Sequence, residues 1–489
     1  MSDIRMEFEA GSADPDIKTA APIPLFIDLD GTLVKSDLLI ESFLQLLRQA
    51  PWCLLLAPLW LMSGIARLKA EVAKRVVLPI ERLPLQEDFV AFLRETAREG
   101  RPIYLATAST RLLAELVAER IGFFSGVLAS DEKTNLKGTR KLEAIREMSE
   151  GPFDYAGNAR SDISVWAQAR KGLVVNPGLG VYSAARRQCQ IDTLFEDRPP
   201  TYQSWIRALR VYQWMKNLLL GVPVLTAHAF SVKNFSSLAV GFLAFGMIAS
   251  SSYIINDMVD LSADRFHPRK RKRPLAAGDI SLLAGLVGMS VSLVSGFFLA
   301  AMLPNPFLLS ILAYLLLTIG YSLFFKTVVL LDVILLGALY TVRIVAGGAA
   351  IGVEISFWLL AFSMFVFFSI ALVKRSSELL TVKKMSETAA VGRDYRLSDY
   401  SALNAMGIAS GYLSVLVLAL YIDTPLVKEN YTNPYRLWLL CPLMLYWISR
   451  LWIKTSRGEM HDDPLLYSLR DVVSWLVLFA MLLITLSAI

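Results

Sequence analysis

Cysteine is scarce in this sequence: three residues in 489, Cys53, Cys189 and Cys441, none near another. That spacing excludes a disulfide framework and a zinc motif built on cysteine pairs. The three histidines are scattered as well, which excludes an imidazole metal cluster. The first 20 residues are small and acidic, with no basic stretch leading into an apolar one, so no cleavable signal peptide is expected. A large excess of one charge is also missing. The 49 Lys and Arg against 43 Asp and Glu give a net +6, which loop residues beside a membrane explain better than nucleic-acid binding. Apolar residues are abundant: they make up 55% of the chain, with a mean hydropathy of +0.48.

The apolar residues are unevenly spread. Residues 1–21 read as a disordered tail and residues 22–200 as a soluble domain with charges throughout. Residues 201–489 alternate long apolar runs with charged loops. Apolar windows of about 18–22 residues suit transmembrane helices. Nine are centred near residues 223, 246, 292, 315, 338, 363, 411, 444 and 479, predicting an all-α membrane domain of nine spans. If residue 200 is cytosolic, the loops on its side hold seventeen Lys and Arg, and the opposite loops hold only Lys233, Lys428 and Arg436. Cytosolic loops attract basic residues. The expectation is therefore a multi-pass protein of the inner (cytoplasmic) membrane with a cytosolic N-terminal domain. Arg343 falls inside the fifth span. An intramembrane arginine is costly, and either a buried polar partner or snorkelling to the interface accounts for it.

The second apolar run ends in Asn256-Asp257-Met258-Val259-Asp260-Leu261-Ser262-Ala263-Asp264. On one continuous helix Asn256, Asp260 and Asp264 share a face, and Asp257 lies one turn from Asp260. Clustered carboxylates repel and are costly near lipid, and acids are disfavoured at helix C-termini. A divalent cation relieves both costs. Mg²⁺ takes one or two carboxylates and completes its shell with waters and substrate phosphates. The motif thus predicts a Mg²⁺–diphosphate site at a membrane face, with a solvated acidic helix end as the alternative.

In the soluble domain, the apolar Leu25-Phe26-Ile27 runs into Asp28-Leu29-Asp30-Gly31-Thr32. Two carboxylates after a strand sit where open α/β sheets bind ligands. Thr107-Ala-Ser109 follows a second strand, then come Asn135-Leu136-Lys137-Gly138 and Gly157-Asn158-Ala-Arg-Ser-Asp162. This ordered series resembles the haloacid dehalogenase superfamily of phosphatases, an α/β fold with a helical cap, here residues 36–100. The resemblance implies Asp28 as nucleophile and Asp30 as general acid and base. It also implies Thr107 and Lys137 on the phosphoryl oxygens, and Mg²⁺ on Asp28, Asp30, Asn158 and Asp162. The last motif usually opens with Gly-Asp, so Asn158 removes a charge and leaves Asp162 as the expected main acidic ligand. Pro51-Trp52-Cys-Leu-Leu-Leu-Ala-Pro-Leu-Trp60-Leu-Met62, within the cap, is too short to span a bilayer. It fits either the membrane interface or the cap's own core.

The spans and the Asn256–Asp264 motif resemble the UbiA superfamily of intramembrane prenyltransferases. Most of that superfamily carries a second aspartate-rich motif after the sixth span. This chain has Lys374-Arg375-Ser-Ser-Glu378, then Gly392-Arg393-Asp394-Tyr395. Together with Gln213-Trp214-Met-Lys216-Asn217 and Gly458-Glu-Met-His-Asp-Asp-Pro464, these segments resemble the branch of polyprenyl-phosphate phosphoribosyltransferases. The resemblance implies phosphoribosyl pyrophosphate (PRPP) and a polyprenyl phosphate as substrates. Asn256, Asp257, Asp260 and Asp264 would hold Mg²⁺. Lys216, Asn217, Arg273, Lys326, Lys374, Arg375, Glu378, Arg393 and Tyr395 would line the phosphate-binding site. Basic residues in place of the second acidic motif suit two phosphate-bearing substrates, because arginine grips phosphate bidentately.

The expected protein is therefore bifunctional. The membrane domain joins phosphoribose to a lipid phosphate in the bilayer, and the soluble domain removes the 5-phosphate. The competing expectations are transfer of a prenyl group from its diphosphate, with an unrelated or structural role for the soluble domain, and a lipid-carrier transporter. Self-association is compatible with every reading.

Overall fold

The computed structural model describes residues 22–384, 394–460 and 463–489; Arg393 lies outside them. The chain divides into two compact units. The first is Met1–Thr201 with Leu261–Lys272 and Ala276–Leu282, and the second is Tyr202–Asp260, Arg273–Leu275 and Leu283–Ile489.

The first unit is built on six parallel strands: β1 (Leu25–Ile27), β2 (Ile103–Thr110), β3 (Gly126–Ser130), β4 (Asp154–Gly157), β5 (Lys171–Val175) and β6 (Gln190–Phe195). Their order is β3-β2-β1-β4-β5-β6. The inner strands are near-continuous apolar runs because helices cover both faces of the sheet. Successive β1 side chains alternate between two cores. Leu25 and Ile27 join Leu93 and Leu105 on one face, and Phe26 joins Tyr155 and Trp166 on the other. Chain order reverses across β1, with β2 on one side and β4 on the other. This is the crevice where doubly wound sheets hold ligands at their strand ends.

Helices Leu38–Gln49, Ala57–Met62, Ile65–Ala73 and Glu87–Arg98 lie between β1 and β2. Asp37 starts the first by accepting the amides of Leu39 and Ile40. A division at residue 200 assigns residues 261–282 to the membrane domain, but most of this loop packs within the first unit. The reason is a buried ion pair: Arg265 donates to both carboxylate oxygens of Glu41, at 2.8 and 2.7 Å.

The second unit is helical and forms a multi-pass membrane domain. Six of its helices are long and apolar enough to cross a membrane: Val232–Val259, Leu282–Ala301, Asn305–Leu323, Leu331–Ile351, Phe357–Thr381 and Leu397–Ile422. Pro464–Arg470 and Val472–Ala488, bent by 81°, make a seventh if counted as one span. Among the described residues this is fewer than the nine expected. The run near residue 223 forms a 3-10 segment, Val211–Gly221, and a five-residue helix in which Pro223 removes an amide donor. The run near 444 is a 17-residue helix, Leu440–Ser456, preceded by a 3-10 turn beginning at Pro434.

Two candidate active sites

In the first unit, Asp28 and Asp30 leave the end of β1 through a tight turn. Gly31 sits at φ +78, a conformation favouring glycine. A Cβ there would come within 2.0 Å of the Asn158 side-chain nitrogen, so the turn and Asn158 are pressed together. Asp30 accepts hydrogen bonds from the Leu38 amide at 2.9 Å and the Ser109 hydroxyl at 2.5 Å. Thr107 is buried at the end of β2, and its hydroxyl accepts the Ser109 amide at 3.0 Å.

The lysine on Asp28 is Lys141 rather than Lys137. Lys141 Nζ lies 2.8 Å from Asp28 Oδ1, 2.9 Å from the Tyr155 hydroxyl and 3.3 Å from Asp162 Oδ1. Lys137 is exposed. The first turn of helix Thr139–Met148 carries Lys141 inward. Asp162 is fully buried with both oxygens engaged. Oδ2 accepts the amides of Asn158 and Ala159, and Oδ1 accepts the Tyr155 hydroxyl and Lys141. It therefore orients Lys141 and the 158–159 turn, which corrects its expected role as the main acidic metal ligand.

Burial pushes the Asp28 carboxyl up to about 6, against the pull of Lys141. Burial and then the nearby Asp37 charge push Asp30 up to about 7. Burial disfavours the charge on Lys141, but Asp28 and Asp162 outweigh it and raise the pKa of Lys141. Two carboxyls with raised pKa values beside a buried lysine suit proton transfer and phosphoryl chemistry. The Asn158 carbonyl oxygen is buried with no hydrogen-bond partner. An orphaned oxygen packed on the Asp28–Asp30 turn, beside two carboxylates, fits the oxygen ligation of Mg²⁺.

In the second unit, helix Val232–Val259 stops with Asp260 as its C-cap and a new helix starts at Leu261. Asn256, Asp260 and Asp264 therefore do not share the face of one continuous helix. Asp264 is buried in the segment belonging to the first unit. Asn256 is half-buried. Asp257 is buried and paired with Arg210 and, at 2.9 Å, with Arg273. Asp260 is paired with Lys326 at 2.9 Å. Among the described residues no three His, Cys, Asp or Glu side chains cluster to hold a metal. Asp257 and Asp260 stand one turn apart, and two carboxylates are the number that Mg²⁺ commonly takes when a diphosphate completes its shell.

Deeper in this unit, Lys216 pairs with Asp463, and Lys374 is close enough for its charge to act on Asp463. Arg343 does not snorkel. It is buried, donating to Asn217 Oδ1 at 3.1 Å, the Tyr314 hydroxyl at 3.2 Å and the Leu339 carbonyl. Its guanidinium also lies over the rings of Phe245, Tyr314 and Tyr340. Arg375 and Glu378 adjoin this cluster, their charges acting on Lys374. Arg375 donates to Asp332 at 2.5 Å, Glu378 at 2.6 Å and the Tyr321 hydroxyl at 2.9 Å. The Tyr395 hydroxyl donates to Asp332 at 2.6 Å. These partners tie Arg375 and Tyr395 into a network around the buried Asp332. The sequence reading missed Ser109, Lys141, Arg210 and Asp332. Arg210 lay just upstream of a quoted motif, and the other three are chosen by side-chain direction alone.

Residues 218–469 match the UbiA prenyltransferase family and residues 25–165 match haloacid dehalogenase-like hydrolase. The protein y4nM of Sinorhizobium fredii is 36% identical over 464 residues, covering 93% of this chain and 89% of that protein. Nodulation protein NoeC of Azorhizobium caulinodans is 34% identical over 271 residues, 55% of this chain and 88% of that one. Decaprenyl-phosphate phosphoribosyltransferase of Corynebacterium glutamicum is 34% identical over 188 residues, 36% of this chain and 54% of that enzyme. A UbiA homologue from Archaeoglobus fulgidus, solved with DMAPP and Mg²⁺, superposes with a TM-score of 0.45 at 18% identity, covering 58% of this chain and 99% of that one.

Proposed function

The chain belongs to the UbiA prenyltransferase family and carries a haloacid dehalogenase-like hydrolase domain, and from that premise we propose a bifunctional membrane enzyme. The UbiA unit transfers 5-phosphoribose from PRPP to a polyprenyl phosphate. The hydrolase unit then removes the 5-phosphate to leave polyprenyl-phosphoryl ribose. The observation carrying this reading is the charge balance of the second unit. Among the described residues, six basic side chains, Arg210, Lys216, Arg273, Lys326, Arg343 and Lys374, gather about four acidic ones, Asp257, Asp260, Asp463 and Glu378. Two phosphate-bearing substrates suit such an excess of cations. Similarity to a decaprenyl-phosphate phosphoribosyltransferase supports the choice of donor and acceptor.

In transfer, the bond from ribose C1 to pyrophosphate breaks, pyrophosphate leaves with the electron pair, and a lipid phosphate oxygen bonds to C1. Mg²⁺, when bound, draws charge from the leaving pyrophosphate. Asp257 and Asp260 are its holders in this chain. Arg210, Arg273 and Lys326, which they now engage, turn to the phosphate oxygens. Lys216, Arg343 and Lys374 offset the charge of the lipid phosphate. Positioning and electrostatics supply the rate, so no nucleophilic side chain is required.

In the phosphatase step, Asp28 attacks phosphorus and Asp30 gives its proton to the ribose oxygen that leaves. Water then attacks the aspartyl phosphate, Asp30 takes its proton, and inorganic phosphate departs. Lys141 and the hydroxyls beside Asp30 hold the group in line. A multi-pass arrangement with this unit in the cytosol, at the cytoplasmic membrane, keeps donor and product on one side.

The test uses PRPP labelled with ¹⁴C in the ribose and ³²P at the 5-position, incubated with polyprenyl phosphate. Ribose label in the lipid, with the ³²P released as inorganic phosphate, is expected. A lipid carrying neither label, together with prenyl transfer to an acceptor when polyprenyl diphosphate is supplied instead, would replace the reading by prenyl transfer.

A further inference from the structure

The segment Pro51–Met62 carries an apolar face with no partner among the described residues. Its inner residues, Cys53, Leu54, Ala57 and Trp60, pack on the main core of the first unit, and the Arg75 guanidinium lies 4.7 Å over the Trp60 ring. Its outer residues are bare: Trp52 is 69% exposed, Leu55 81%, Leu59 59% and Met62 86%. The segment is thus fixed from below and unsatisfied from above. Scattered exposed apolar residues are ordinary, but a contiguous patch marks a binding surface.

Charge indicates what covers the patch. No charged residue occurs from 49 to 66, while Arg48 and Arg67 bracket the stretch and are exposed; Lys74 and Arg75 follow, paired with Glu132 and Glu71, so the basic charge of the rim is carried chiefly by Arg48 and Arg67. An apolar face with a tryptophan and a basic rim matches the layered chemistry of an anionic bilayer surface. The two helical pieces together are too short to span the bilayer, so they lie on it. The patch is also tied to the catalytic pocket. Gly64, at φ +109, turns the chain into helix Ile65–Ala73. One turn along, Lys69 donates to the Ala108 carbonyl at 2.7 Å and to Asn135 Oδ1 at 3.1 Å, next to Ser109 and Asp30.

We infer that Pro51–Met62 is a lipid-docking element that enters the interfacial layer of an anionic leaflet and presents the Asp28 pocket to phosphate carried on a lipid. What happens to that phosphate rests on the phosphatase reading above; the docking itself does not.

The test uses the full chain in proteoliposomes containing phosphatidylglycerol. With the native cysteines replaced by alanine, one nitroxide is placed at Leu59→Cys and, as an aqueous control, one at Leu179→Cys, where the native side chain is 97% exposed. Docking predicts that the probe at 59 is relaxed more by oxygen than by a water-soluble nickel chelate, and the probe at 179 the reverse. Equal chelate access at both positions overturns the proposal, and so does spin–spin broadening at 59, which would mean a second copy of the chain covers the patch. The kinetic arm uses Leu55→Glu, Leu59→Glu and Met62→Glu together. Turnover of a lipid-linked phosphomonoester is expected to fall on the order of tenfold, because interfacial binding scales with buried apolar area, with p-nitrophenyl phosphate hydrolysis unchanged. Unchanged turnover of both substrates overturns docking. If the unsubstituted chain hydrolyses neither, the phosphatase reading fails while the nitroxide result still decides docking.

Discussion

Asp28 and Asp30 emerge from a buried strand and are held by backbone amides, hydroxyls and one lysine, whereas Asp257 and Asp260 ride the last turn of a helix, each covered by basic side chains. Burial raises the pKa values of the first pair toward neutral pH. The second pair is matched by arginine and lysine that an incoming diphosphate can take over. A strand-end site is thus positioned by the sheet before substrate arrives, and the helical site is positioned by charge balance that substrate must rearrange.

Removing a carboxylate should separate the two kinds of site. Asp28→Asn deletes a nucleophile from a rigid frame, so phosphatase turnover should fall at least about 1,000-fold with folding and lipid labelling intact. Asp257→Asn should abolish transfer and also leave the Arg210 charge short of its partner. Breaking a buried pair costs about 3 kcal/mol, so a lowered unfolding midpoint in detergent should accompany lost labelling. Asp332→Asn should cost a similar 3 kcal/mol or so, while KM for PRPP stays unchanged in the folded fraction if Arg375 and Tyr395 serve structure. A selective rise in KM would place them at the substrate site.

The smallest effect concerns pH in chelator-treated protein. The carboxyl pKa of Asp28 rises from 3.8 to about 6 on folding, and that of Asp30 from 3.8 to about 7. A raised folded pKa favours the protonated form, so the stability it contributes is complete below about pH 4 and lost as pH rises through 6 to 7. Asp30→Asn should flatten part of that decline in denaturant titrations between pH 4 and 8. An identical slope in the variant would show that burial does not govern Asp30.

The phosphatase motifs were legible because each is a local run at a strand end, where sequence order and spatial position coincide. Lys141 was not, since Lys137, Arg140 and Lys141 lie close in sequence and only helix phase turns one inward. In the membrane domain the acidic motif was legible, but the helix break at Asp260 was not drawn from it. Acids at a helix C-terminus oppose the macrodipole, and that was the available signal. The runs at residues 211–226 and 440–456 are apolar enough to read as spans, but they form a 3-10 segment with a five-residue helix and a 17-residue helix, short of span length. The partners of Arg343 sit on other elements, far away in sequence.

If both units act in turn on one lipid, the mass of the lipid formed from PRPP and polyprenyl phosphate reveals it: polyprenyl-phosphoryl ribose is expected from the unsubstituted chain and, from Asp28→Asn, the same lipid heavier by one phosphate group. Identical products from both would contradict it.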